Sequence, residues 1–89
     1  KPQIICMDEP TSALDPLLTS YVAHAIQELA NENYTILIAT HDVFLIEKLP
    51  CTLFLMDQGS IVETATSDQY WNNSERYPQI NSFVKGHAK

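Results

Sequence analysis

Two apolar runs, "IICM" at residues 4–7 and "TILIAT" at residues 35–40, bracket a stretch whose hydrophobic residues fall on one side of a helix. This arrangement limits the possible folds more than any other feature. Neither run alternates apolar with polar, so each is expected to be a fully buried strand. Between them Leu17, Leu18, Tyr21, Val22, Ala25, Ile26, Leu29 and Ala30 recur at helical spacing. Asp15 stands where an N-cap belongs, Pro16 takes the first helical position, and Asn31-Glu32-Asn33 ends the helix. Strand, amphipathic helix and strand in this order make a βαβ unit, with its two strands parallel. Cys6, inside the first run, is expected to be a reduced cysteine of the core.

The rest of the chain reads as shorter elements. "VFLIEKL" is a brief helical piece. "TLFLMDQGSIVE" is a β-hairpin turning at Asp57-Gln58-Gly59-Ser60, with Gly59 as the tight-turn residue. Thr66 and Gln69 have the spacing of a capping box and open a short helix. Pro78 to Lys85, with Ile80, Phe83 and Val84 on one side and Gly86 after it, forms the last helix. The fold class is therefore α/β: a parallel βαβ portion followed by a hairpin and terminal helices.

With 89 residues the chain is one small domain or part of a larger one, and it opens on Lys1 rather than Met, as a piece of a longer protein would. The net charge of −6 and only 5 basic residues, which do not cluster, argue against a nucleic-acid-binding face. The apolar runs fall far short of the roughly 20 residues that span a bilayer. No signal peptide is recognisable, and two isolated thiols, Cys6 and Cys51, give no sign of an oxidising compartment.

In open α/β sheets, ligands bind beyond the carboxyl ends of the parallel strands. Asp8 and Glu9 follow the first strand here; Thr40, His41 and Asp42 follow the second. The crossover helix brings both ends to one edge, so Asp8, Glu9 and His41 should share a crevice. Asp8 could hold a magnesium ion, chiefly through water. Glu9, turned elsewhere by the alternation of side chains, could orient an attacking water. His41 could hydrogen-bond a phosphoryl oxygen or that water. The same trio also suits a metal hydrolase with Asp, Glu and His ligands; spacing does not separate the two. Capping alone accounts for Asp15 as a residue type. His24, on the polar face of the helix, and His87, in a frayed tail, read as surface residues.

These motifs together resemble a known family. "IICMDEP" is similar to the Walker B strand of ATP-binding cassette (ABC) ATPases, "SALD" at residues 12–15 to their D-loop, and "ATHD" at residues 39–42 to their switch-histidine loop. "LFLMDQGSIVE" and "TSDQYW" resemble the hairpin and helix that follow. "DEPTSALDP" together with "THD" is most similar to the ATPase subunits of bacterial importers, and within them the polar amino-acid branch is the expected one. The resemblance implies a portion of a P-loop NTPase domain over residues 1–89, with ATP and Mg²⁺ as cofactors. It implies Asp8 at the metal, Glu9 as general base, and His41 at the γ-phosphate. Ser12, Ala13, Leu14 and Asp15 would line the interface of a head-to-tail ATPase dimer. Membrane-spanning permease subunits would be the further partners, with the ATPase peripheral on the inner face of the cell membrane.

The family also uses a P-loop, G-x-x-x-x-G-K-[ST], to cradle the phosphates. This chain holds two glycines, Gly59 and Gly86, and neither precedes a Lys-Ser or Lys-Thr pair. The Gly-rich signature and the glutamine loop are missing as well. All three lie upstream of the Walker B strand in the family, so the chain is read as the C-terminal part of a subunit. Other readings are a fragment of an ABC ATPase outside transport, a truncated product that at most binds a partner, and a freestanding metal hydrolase, which leaves "SALD" unexplained. Lacking the phosphate cradle, the isolated 89-residue polypeptide is expected not to bind ATP usefully; micromolar binding in a calorimetric titration would contradict this.

Overall fold

The computed structural model describes residues 3–87. Its contacts gather into two compact units, one ending at Lys48 and the other beginning at Leu49. In the first unit, strand β1 (Gln3–Asp8) pairs in parallel with β2 (Tyr34–Ala39), with Gln3 opposite Tyr34 and Asp8 opposite Ala39. The connection is a 3₁₀ turn (Pro16–Leu18) and helix α1 (Thr19–Asn31). The βαβ unit expected from the spacing is thus present.

Local chemistry sets the boundaries. The Asp15 carboxylate accepts the Leu17 amide at 2.9 Å, and Pro16, which has no amide hydrogen, occupies the first position of the turn. The cap therefore opens a 3₁₀ turn, and α1 begins three residues after Pro16. Thr19, Ala23 and Ile26, at i, i+4 and i+7, form the buried stripe of α1. The apolar positions expected to lead the helix into the core lie outside it: Leu17 is 80% exposed and Tyr21 74%. Helix α2 (Val43–Glu47) packs on α1 and buries Val43 and Leu45 completely.

The two strands depart from the expectation of full burial. Ile5, Met7, Ile36 and Ile38 share one face and are half-buried. Ile4, Cys6 and Leu37 share the other and are exposed, Ile4 at 71% and Leu37 at 59%. Cys6 is therefore a surface thiol in this structure, not a core cysteine. The physical reason is that α1 packs against β2, and one helix layer covers one face of a pleated sheet, on which every second side chain points.

In the second unit, β3 (Thr52–Asp57) and β4 (Ser60–Thr66) form the antiparallel hairpin. Gln58 and Gly59 have φ of 50° and 81°, the two positive values of a type I′ turn, whose twist matches that of the strands. A bulge between Leu55 and Met56 shifts the register so that Leu55 faces Glu63 and Met56 faces Ile61. Helix α3 (Ser67–Asn72) starts at the expected capping box: the Thr66 hydroxyl accepts the Gln69 amide at 3.1 Å, and the Gln69 side chain accepts the Thr66 amide at 3.2 Å. The last helix, α4 (Pro78–His87), contains Gly86 and His87 rather than ending before them. His87 stacks on Phe83 at 4.1 Å between ring centroids. Leu49, Ala65, Tyr70, Ile80 and Val84 form the core of this unit, and the buried Tyr70 ring sends its hydroxyl to Asn81 at 2.9 Å. Among the described residues no helix is long and apolar enough to cross a membrane.

The capping box supplies a direct check. Thr66→Ala removes the acceptor for the Gln69 amide and should destabilise the folded chain by about 1 kcal/mol in a denaturant titration, with Thr66→Ser retaining most of the lost stability.

Candidate active site at the ends of the parallel strands

The register of β1 and β2 places Asp8 beside Ala39, so residues 9–15 and 40–42 leave the sheet at the same edge. The ladder continues one step further, since the Glu9 amide donates to the Ala39 carbonyl at 2.7 Å. Glu9 then turns out of the strand with φ +51°, a left-handed conformation that non-glycine residues rarely adopt. The direction of its side chain is therefore set by this turn and not by strand alternation, which corrects the pleat-based expectation.

The turn brings Glu9 to His41. Glu9 Oε1 accepts the His41 backbone amide at 3.1 Å, and Glu9 Oε2 lies 2.6 Å from His41 Nδ1. One carboxylate thus holds both the backbone and the ring of a residue 32 positions away. Asp8 is exposed at the end of β1 and ends the same strand edge. The juxtaposition expected from sequence is present for Glu9 and His41, and Asp8 adjoins them through the chain.

Residues 12–15 form an exposed loop. Its turns are closed by the Ser12 amide on the Glu9 carbonyl at 3.0 Å and the Leu14 amide on the Thr11 carbonyl at 3.1 Å, with Ala13 left-handed at φ +67°. Asp15 does the capping already described. His24, also exposed, pairs with Glu28 one helical turn on, at 3.6 Å.

A second bridge joins the same loops. The hydroxyl of Thr11, a residue 8% exposed, donates to Asp42 Oδ2. The other oxygen of Asp42 caps α2 by accepting the amides of Phe44 and Leu45 at 3.0 and 3.3 Å. Asp42 as a cap was legible, being an Asp directly before an apolar helical run. Its tie to Thr11 was not, because the two are 31 residues apart.

The donors fit a magnesium ion in one respect. Among the described residues no three His, Cys, Asp or Glu side chains gather into a metal cage. A lone carboxylate at a strand end suits an ion that keeps several waters and takes its other ligands from phosphates. When bound, such an ion neutralises charge on the transferring phosphoryl group.

Comparison with known proteins agrees with this geometry. A solved ATP-binding cassette of an ABC transporter superposes on 91% of the chain with a TM-score of 0.73 at 23% identity, the chain covering 32% of that structure; the architecture is that of a P-loop NTPase α/β fold. A family model described as "AAA domain, putative AbiEii toxin, Type IV TA system" matches residues 1–47. The chain belongs to this AAA-domain family. It is 42% identical over 81% of its length to the arginine transport ATP-binding protein ArtP of Haemophilus influenzae, covering 30% of that protein. It is 34% identical over its whole length to the histidine/lysine/arginine/ornithine transport ATP-binding protein HisP of Escherichia coli, covering 34% of it. The resemblance to ABC transporter ATPases thus extends along the whole chain, which spans about a third of the length of the curated relatives it matches.

An ionised carboxylate can only accept, so the 2.6 Å contact requires the hydrogen of His41 to reside on Nδ1. Nitrogen-15 NMR of the imidazole should show the Nδ1–H form for neutral His41, and Glu9→Ala should lower the share of that form. An Nε2–H ring in the unaltered chain would refute the contact.

Proposed function

We propose that this chain is the C-terminal part of the ATP-hydrolysing subunit of an ABC importer that couples ATP binding and hydrolysis to uptake of a polar amino acid. The observation that carries the reading is the Glu9–His41 pair at the carboxyl ends of two parallel strands. In this reading Asp8 would hold the Mg²⁺ that offsets the charge of the phosphates. Glu9 takes the proton of, or orients, the attacking water, and it acts from a turn whose strain the surrounding hydrogen bonds sustain. His41, steadied by Glu9 through two atoms, contacts the γ-phosphate. The exposed loop Ser12, Ala13, Leu14 and Asp15 faces a second ATPase subunit. The relatives named for arginine and for histidine, lysine, arginine and ornithine transport support the amino-acid branch. The permease subunits of such a transporter would hold the ATPase at the inner face of the membrane.

The test is Glu9→Gln in the full-length subunit. ATP binding should persist while hydrolysis falls by roughly 10²–10⁴-fold, the usual contribution of a positioned general base. Hydrolysis at a near-normal rate would remove Glu9 from this role.

A further inference from the structure

The geometry points to Thr11 and Asp42 as a positioning pair for the proposed Glu9–His41 site, an assignment that rests on the functional reading above. Two loops meet at the strand ends, and two bridges join them. Glu9 reaches His41, and Thr11, two residues on, reaches Asp42, the residue after His41. The bridges lie side by side, one made by the reacting groups and the other by groups that touch neither water nor phosphate in the proposed chemistry.

The two differ in surroundings. The His41 side chain is 65% exposed and that of Glu9 32%. Thr11 is buried, and Asp42 is half-buried against α2. A hydrogen bond to a carboxylate is stronger where water is excluded, so the buried bridge is suited to hold the exposed one. Its two ends are also fixed independently. Asp42 is anchored by the amides of Phe44 and Leu45 and by its own amide, which donates to the Thr40 hydroxyl at 3.0 Å. Thr11 follows the strained Glu9 turn by two residues, and its carbonyl accepts the Leu14 amide. The bond between them thus ties the left-handed turn at Glu9 to the capped start of α2. Without it, the Ala39 and Ser12 hydrogen bonds and the more exposed Glu9–His41 contacts are left to keep the backbone that aims Glu9 in a sparsely populated conformation. The hydroxyl is the required group: valine has the same shape as threonine without a donor, and serine keeps the donor.

The experiment uses the full-length protein, with Thr11→Val, Thr11→Ser and Glu9→Gln compared. Thr11→Val should lower kcat for ATP hydrolysis about 10- to 100-fold, the scale of a small misplacement of a reacting group, with KM for ATP unchanged. The His41 amide proton, deshielded by the Glu9 carboxylate in the unaltered protein, should move upfield in the same variant. Thr11→Ser should restore both. Wild-type kcat and an unmoved His41 amide in Thr11→Val would overturn the proposal, as would a Thr11→Ser variant that behaves like Thr11→Val. Should Thr11→Val fail to fold, the unaltered protein decides: a Thr11 hydroxyl proton protected from exchange upholds the bridge, and a freely exchanging one overturns it. The two readings separate cleanly. Hydrolysis that survives Glu9→Gln removes the general base, yet a shifted His41 amide in Thr11→Val still upholds the clamp. Hydrolysis lost in Glu9→Gln but intact in Thr11→Val, with the His41 amide unmoved, does the reverse.

Discussion

The parallel pairing of β1 with β2 is the interaction on which the rest of the candidate site depends. Backbone hydrogen bonds along the pair set Asp8 level with Ala39, and the Glu9 amide extends that ladder by one residue. From that point the two chains can leave the sheet in only a small volume. Two acids and a histidine separated by more than thirty residues are neighbours because the ladder is in register, not because any local sequence preference joins them. A slip of one residue would turn each side chain to the opposite face and separate Glu9 from His41.

Past the ladder, the backbone takes a shape that costs free energy. Glu9 and Ala13 both adopt positive φ without being glycine, each costing on the order of 1–3 kcal/mol. Such a turn persists only where its surroundings hold it. Here they do so from several sides: the Ala39 carbonyl, the Ser12 amide, the His41 amide and ring, and the Thr11 bond to Asp42. A glycine would relieve the strain but carry no carboxylate to reach His41.

Elements governed by neighbouring residues were readable in advance. The Asp15 cap and Pro16, the Thr66–Gln69 box and the Gln58-Gly59 turn each depend on interactions within a few residues, and each appears where the spacing placed it. Features that depend on partners distant in sequence are less legible in it. Cys6 and Ile4 sit in a run that reads as buried on both sides, yet one side lies open here because exposure is decided by which layers pack on the sheet. The core stripe of α1 runs through Thr19 and Ala23, two small residues that a search for large apolar side chains passes over. Gly86 looked like a helix end and lies within α4, since a glycine weakens a helix without obliging it to stop.

By itself the sequence determined the order of elements, their caps and turns, and the types of residue delivered to the strand ends, because these follow from side-chain period and local hydrogen bonding. Only the tertiary structure decided that Glu9 grips His41 through two atoms, that its backbone is bent to do so, and that Thr11 and Asp42 lock the same two loops from the buried side. Those contacts bridge 31 and 32 residues. Nothing in a linear pattern specifies which hydroxyl meets which carboxylate across such a distance; that follows from strand register and from packing against α2.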